Sequence, residues 1–120
     1  MKRRELTAAD VEFTLECEPE HIPYVGNCSA LDHNTDREQE EWIAGQLDGG
    51  NEWAWCIAKV TAKWRDFDGV DYLGGCSYLS EEDFRKGGYF DDMKDEALTD
   101  LNRNVQSVGE ILDKLPVVDE

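Results

Sequence analysis

The stretch Trp53-Ala54-Trp55-Cys56-Ile57-Ala58-Lys59-Val60-Thr61-Ala62-Lys63-Trp64 decides the fold. In an extended chain successive side chains point to opposite sides, so residues two apart share a face. Cys56, Ala58, Val60, Ala62 and Trp64 then form one apolar face. Trp53, Trp55 and Ile57 begin the other face, which continues as Lys59, Thr61 and Lys63. A strand over 53–64 with one side in a core follows. Arg65-Asp66-Phe67-Asp68-Gly69 reads as a turn and 70–79 as a second strand, which together make an antiparallel hairpin. Gly74-Gly75 inside the second strand marks a bulge or a close backbone approach.

Upstream, Val11-Glu12-Phe13-Thr14-Leu15-Glu16-Cys17 alternates without a break. It is a half-buried strand with Val11, Phe13, Leu15 and Cys17 facing inward. Residues 18–33 contain Pro19, Pro23, Gly26 and Asn27 and read as a long loop, a kind that often carries function. Thr35-Asp36-Arg37-Glu38 matches a capping box and predicts a helix over 36–47. Its apolar residues are Trp42, Ile43 and Leu47, and Gly49-Gly50 stops it.

Downstream, Ser80-Glu81-Glu82-Asp83 starts a short helical turn that is interrupted at Gly87-Gly88. Phe90, Met93, Ala97, Leu101, Val105, Val108, Leu112 and Leu115 then recur at steps of three and four, which predicts a helix over 89–114 ended by Pro116. The expected architecture is α+β: a three-stranded antiparallel sheet with two helices on one face, in the order β-α-β-β-α. Residues 1–10 form a flexible N-terminal arm, 11–115 a single domain, and 116–120 an acidic tail.

The 120 residues suit one domain, and 40% hydrophobic content with four Trp argues for a folded core. The formal net charge is −16. Three of the twelve basic residues are Lys2, Arg3 and Arg4. From Glu5 to Cys56 there are thirteen acidic residues and one base, Arg37. Such a chain repels nucleic acid and anionic lipid and is drawn to cationic surfaces. Solubility alone is the competing account of the charge. Glu5-Leu6-Thr7-Ala8-Ala9-Asp10 follows the basic start in place of an apolar run, so no secretory leader is expected. No stretch approaches the ~18 apolar residues of a membrane span. The expectation is a soluble cytoplasmic protein without membrane contact.

Cys17, Cys28, Cys56 and Cys76 are widely spaced and no C-x-x-C occurs, which excludes a zinc knuckle and leaves thiols. His21, Cys28 and His33 could form a metal or Cys/His enzyme site, but Glu16, Glu18, Glu20 and Asp32 nearby oppose thiolate formation. Asp66-Phe67-Asp68-Gly69-Val70-Asp71 lacks the glycine position and the distal Glu of a calcium loop. Lys59, Lys63 and Arg65 near the tryptophans are the one candidate for nucleic acid, and the overall charge opposes it. No catalysis, no metal and no cofactor are therefore expected, and no direct nucleic-acid binding.

The acidic residues are the leading interaction candidates. Asp91 with Asp95, and Asp92 with Glu96, are like-charge pairs at i,i+4, each costing a few tenths of a kcal/mol or more. Acids in the first helical turn complement the dipole, which accounts for Asp91 and Asp92. It accounts less well for Asp95, Glu96 and Asp100. Neighbouring carboxylates on a helix lie ~5–6 Å apart, a spacing that can imitate successive phosphates. Glu38, Glu40, Glu41 and Asp48 would extend the track from the first helix. Trp53 and Trp55 are either core or, if exposed, an aromatic contact for a protein partner or a second copy.

The segments Glu41-Trp42-Ile43, Asn51-Glu52-Trp53-Ala54-Trp55-Cys56, Tyr72-Leu73-Gly74-Gly75-Cys76-Ser77-Tyr78 and Gly88-Tyr89-Phe90-Asp91-Asp92-Met93 resemble small acidic proteins of bacteriophages and mobile elements. The resemblance spans roughly residues 30–105. It implies an inhibitor of host defence, of the anti-restriction or anti-CRISPR kind, several of which are DNA mimics. Its implied partner is a bacterial protein or nucleoprotein complex with a Lys/Arg-rich surface, met in the host cytoplasm.

Overall fold

The computed structural model describes residues 5–28 and 33–113. Strand β1 (Glu12–Pro19) leads through the loop to helix α1 (His33–Asp48). A 3-10 turn at Glu52–Ala54 precedes β2 (Cys56–Trp64) and β3 (Phe67–Cys76). Helix α2 (Glu81–Lys86) and helix α3 (Tyr89–Asp113) complete the order. The sheet is antiparallel and open, in the order β1-β2-β3. The α+β class stands, but the described residues hold six strands and α-helices in place of five, because the helical turn after Ser80 is a separate helix.

The alternation in β2 has the expected consequence. Cys56, Ala58, Val60 and Ala62 are all sealed from solvent, while Ile57, Lys59 and Thr61 are half-exposed. Leu15 opposes Val60 and Cys17 opposes Ala58, so the inward residues of β1 join the same face. Helix α3 covers that face with Phe90, Met93, Ala97 and Leu101, all buried. The two expected helices on one face are replaced by one. Helix α1 instead meets the 3-10 turn at Glu52–Ala54, seating Ile43 without exposure.

Several boundaries shift for local reasons. Thr35 lies inside α1, whose start precedes it, so it is no N-cap. The cap that does form is Ser80, whose Oγ accepts from the Asp83 amide at 3.2 Å. Trp53 is not in a strand. Asn51 Oδ1 accepts from the Trp53 amide at 3.2 Å and its Nδ2 donates to the Tyr78 carbonyl at 3.1 Å, which folds the chain into the 3-10 turn. The hairpin turn shrinks to Arg65-Asp66, with Trp64 opposite Phe67. The β3 register slips by one residue between its pairings with Ala58 and Cys56, and Gly75 sits there at φ 65. Gly74-Gly75 is therefore the bulge that the sequence suggested.

Residues 5–10, expected to belong to a flexible arm, are docked. Leu6 is buried, its amide donates to Asn102 Oδ1 at 2.8 Å, and Asn102 Nδ2 donates to its carbonyl at 3.0 Å. A carboxamide satisfies one residue's donor and acceptor together. Asn102→Ala should cost about 1–3 kcal/mol, since both backbone groups lose their partner. Native-state hydrogen exchange checks this: the Leu6 amide should lose its protection while β2 amides keep theirs. Unchanged protection at Leu6 would refute the clasp. Residues 1–4, the tail 116–120, and Leu115 at the end of the expected helix lie outside the described residues.

Candidate functional site

Four acidic residues stand together on the outer side of α3. Asp91, Asp92, Asp95 and Glu96 are all exposed. Asp91 is paired with Lys94 at 3.1 Å. Asp92, Asp95 and Glu96 have no cationic partner among the described residues. The helix under them cannot roll, because Phe90, Met93 and Ala97 are locked in the core. Lys94 folds back over the Phe90 ring, its Nζ 4.7 Å from the centroid, and so points away from the free acids.

Asp100 does not belong to this group. Its Oδ2 accepts from the Val70 amide on β3 at 3.0 Å, and its Oδ1 lies 3.6 Å from Arg103. It serves the fold as an edge clamp, and its expected place in the binding track is corrected on that ground. Glu38 and Glu41 are exposed on α1. That helix does not lie beside α3 on the sheet, so nothing joins them into one continuous row with Asp92.

The two tryptophans part company. Trp53 is buried, stacked on Phe84 with centroids 5.2 Å apart, while Tyr78 meets Phe84 edge-on at 5.0 Å. It is core, and its expected role as a partner contact is withdrawn. Trp55 is half-exposed, and its indole N–H donates to the Ile22 carbonyl at 2.7 Å.

Trp55 thereby anchors the loop after β1. Glu20 continues the anchoring: its Oε2 accepts from the Gly75 amide at 2.6 Å and its Oε1 from the Ile22 amide at 3.1 Å. These amide bonds, Gly75 first, hold the Glu20 carboxyl below the usual range. Glu40 on α1 accepts from the Gly26 amide at 2.9 Å. Between the loop, the end of β1 and α1 lies a groove of about 430 Å³ lined by Pro19, Ile22, Pro23, Tyr24, Leu47 and Trp55, with Cys17, Glu18, Glu20 and Glu52. Sequence reading marked the loop but missed the groove, because Leu47 and Glu52 reach it from elements whose placement no local pattern reveals.

Three of the four thiols are held toward the protonated form. Burial, with Glu52 nearby, raises the Cys17 pKa, and burial with Glu40 and Asp36 raises that of Cys28. Cys56 and Cys76 are free thiols that share a hydrogen bond; that bond and burial raise the Cys56 pKa, while the same bond lowers that of Cys76. Among the described residues no group of three or more His, Cys, Asp or Glu side chains is placed to hold a metal ion. The side chain of His33 lies outside the described residues, so its expected grouping with His21 and Cys28 is not visible. The basic residues near the tryptophans are engaged: Lys59 pairs with Glu18 at 3.6 Å and Arg65 lies 5.0 Å over the Trp64 ring. Lys63 sits in register between Glu12 and Asp68.

No described helix is long and apolar enough to cross a membrane. No family model, curated protein or solved structure matches the chain.

Proposed function

We propose that the chain is a stoichiometric inhibitor that occupies a Lys/Arg-rich nucleic-acid site of a bacterial defence nuclease complex, as an acidic mimic of DNA. The observation that carries this reading is the trio Asp92, Asp95 and Glu96, exposed and without a cation among the described residues, on a helix fixed by its buried face. Some other acids are neutralised locally. Glu81 meets Arg85 at 3.3 Å, Glu82 meets Lys86 at 3.1 Å, and Glu18 meets Lys59 at 3.6 Å. Three uncompensated carboxylates on one rigid segment create a field that attracts cations and needs little rearrangement on binding. In this reading the protein performs no chemistry and acts in the host cytoplasm. The test is capture of partners from bacterial lysate at low and at high salt. A nucleic-acid-binding complex should be retained at low salt and released at high salt, because exposed charge contacts are screened. Retention that is indifferent to salt would move the interface off the acidic helix.

A further inference from the structure

The groove beside Trp55 is a second surface, separate from the acidic trio on α3. Three features give it the character of a binding site. First, it is preformed. The Trp55 bond to Ile22, the Glu20 bonds to Gly75 and Ile22, and the Glu40 bond to Gly26 fix its outer wall at four points. Second, its floor is apolar, with Pro19, Pro23, Tyr24, Leu47 and Trp55, and its volume of about 430 Å³ lies in the range of ligand pockets, roughly 300–1,000 Å³. Third, it carries one sign of charge. Glu18, Glu20 and Glu52 line it, and no Lys, Arg or His does.

These carboxylates differ in what they can offer a ligand. Glu18 is already shared with Lys59 at 3.6 Å. Glu20 stays ionised, since two backbone amides stabilise its charged form. Glu52 is exposed and has no cationic partner among the described residues. An acidic ligand would meet repulsion from all three. A cation with an apolar neighbour would satisfy both the floor and the rim.

A second hollow, of about 260 Å³, adjoins the first and shares Glu20, Ile22 and Trp55 with it. Its remaining lining is Asn27, Gly74 and Gly75, so backbone is open to contact there. Two adjoining hollows across one wall suit successive side chains of an extended segment better than a single compact molecule.

We infer that this double groove binds an extended basic peptide segment of a partner protein, with an apolar side chain against Leu47 and Trp55 and a flanking Lys or Arg near Glu52. The inference stands apart from the function proposed above: it needs neither Asp92, Asp95 nor Glu96. Burial of the apolar side chain supplies the attraction, and the carboxylates select against acidic sequences.

The test uses the full chain and a labelled hexapeptide of alternating Leu and Arg, followed by fluorescence anisotropy. Two controls replace Arg by Glu, or Leu by Ser. The Leu/Arg peptide should bind at least tenfold more tightly than either control. Glu52→Lys and Leu47→Asp should each weaken it about tenfold, whereas the triple variant Asp92→Lys, Asp95→Lys, Glu96→Lys should leave it unchanged. Bound peptide should also slow alkylation of Cys17, which lines the groove, and spare the rate at Cys28, which does not. This footprint on the unsubstituted protein needs no variant to fold. Equal binding of the Ser/Arg peptide would show general attraction to an acidic protein and overturn the inference. Equal binding of the Leu/Glu peptide would show a cleft indifferent to charge, and failure of every peptide to bind would equally sink it.

Discussion

Reversing Asp92, Asp95 and Glu96 to Lys together should weaken capture of the proposed partner by more than tenfold while the domain stays folded. The three side chains are exposed and touch no cation among the described residues, so the fold does not use them. Asp92 lies in the first turn of α3, where its loss removes a favourable dipole interaction of about 0.3–1 kcal/mol. That is small beside the roughly 5–15 kcal/mol of a domain. Each reversal, in contrast, replaces an attraction to a basic surface with a repulsion, and like-charge juxtaposition costs several kcal/mol at an interface. The neutral set Asp92→Asn, Asp95→Asn, Glu96→Gln should fall between wild type and the reversed set. A control must separate position from total charge. Lysine at Glu5, Asp66 and Glu110, which are exposed and at a distance from the trio in sequence, changes the net charge equally. If that control weakens capture as much as the α3 set, the interface follows the overall field and the trio is not its centre.

Gly69→Ala should lower stability by about 3 kcal/mol, the upper part of the range for overpacking a core. Gly69 is buried on β3, and a Cβ there would collide with the Leu101 amide and the Ala97 carbonyl of α3. Both are backbone atoms in mid-helix, so no side chain can turn aside. Helix and sheet must separate, and the seating of Ala97 and Leu101 is lost with them. Thermal unfolding followed by circular dichroism should show a fall in Tm of roughly 10 °C or more. Gly45→Ala is the companion measurement. It lies exposed in α1 with nothing within 4 Å of its Cβ position. Alanine there should raise stability by up to about 1 kcal/mol through helix propensity. A Gly69→Ala protein melting within 2 °C of wild type would mean that α3 does not lie as close to β3 as described.

What the sequence made legible follows from how locally each feature is encoded. The β2 alternation and the α3 stripe are periodic over many residues; α3 lies where expected, and β2 ends at Trp64 as expected but begins at Cys56 in place of Trp53. The placement of α1 was not legible. Trp42, Ile43 and Leu47 make too short a stripe to say which surface they cover, and the turn that receives them is built by Asn51. Phe84 was not legible either. It is one aromatic within six residues of α2, without a period, yet it is fully buried between Trp53, Tyr78 and Phe90. Of the expected contact residues, Asp91, Asp92, Asp95, Glu96, Glu38 and Glu41 are exposed as a surface role requires. Asp100 and Trp53 serve the fold, because their partners lie 30 or more residues away in the chain and leave no local trace.

Asp100 and its neighbour Asn104 have one more effect. Asp100 takes the Val70 amide, and Asn104 Nδ2 donates to the Asp68 carbonyl at 2.8 Å. Helix α3 thus occupies the outward backbone groups at the start of β3, while among the described residues no strand lies beyond β1 on the other side. A ladder needs two open sides to grow without limit. Here the start of β3 is already taken, which shortens the stretch a second copy could pair with on that side. Glu12, Glu16 and Glu18 on β1 oppose pairing with a second copy of that strand by like charge. The side chains that hold α3 to the sheet therefore also shorten the edge open to another strand.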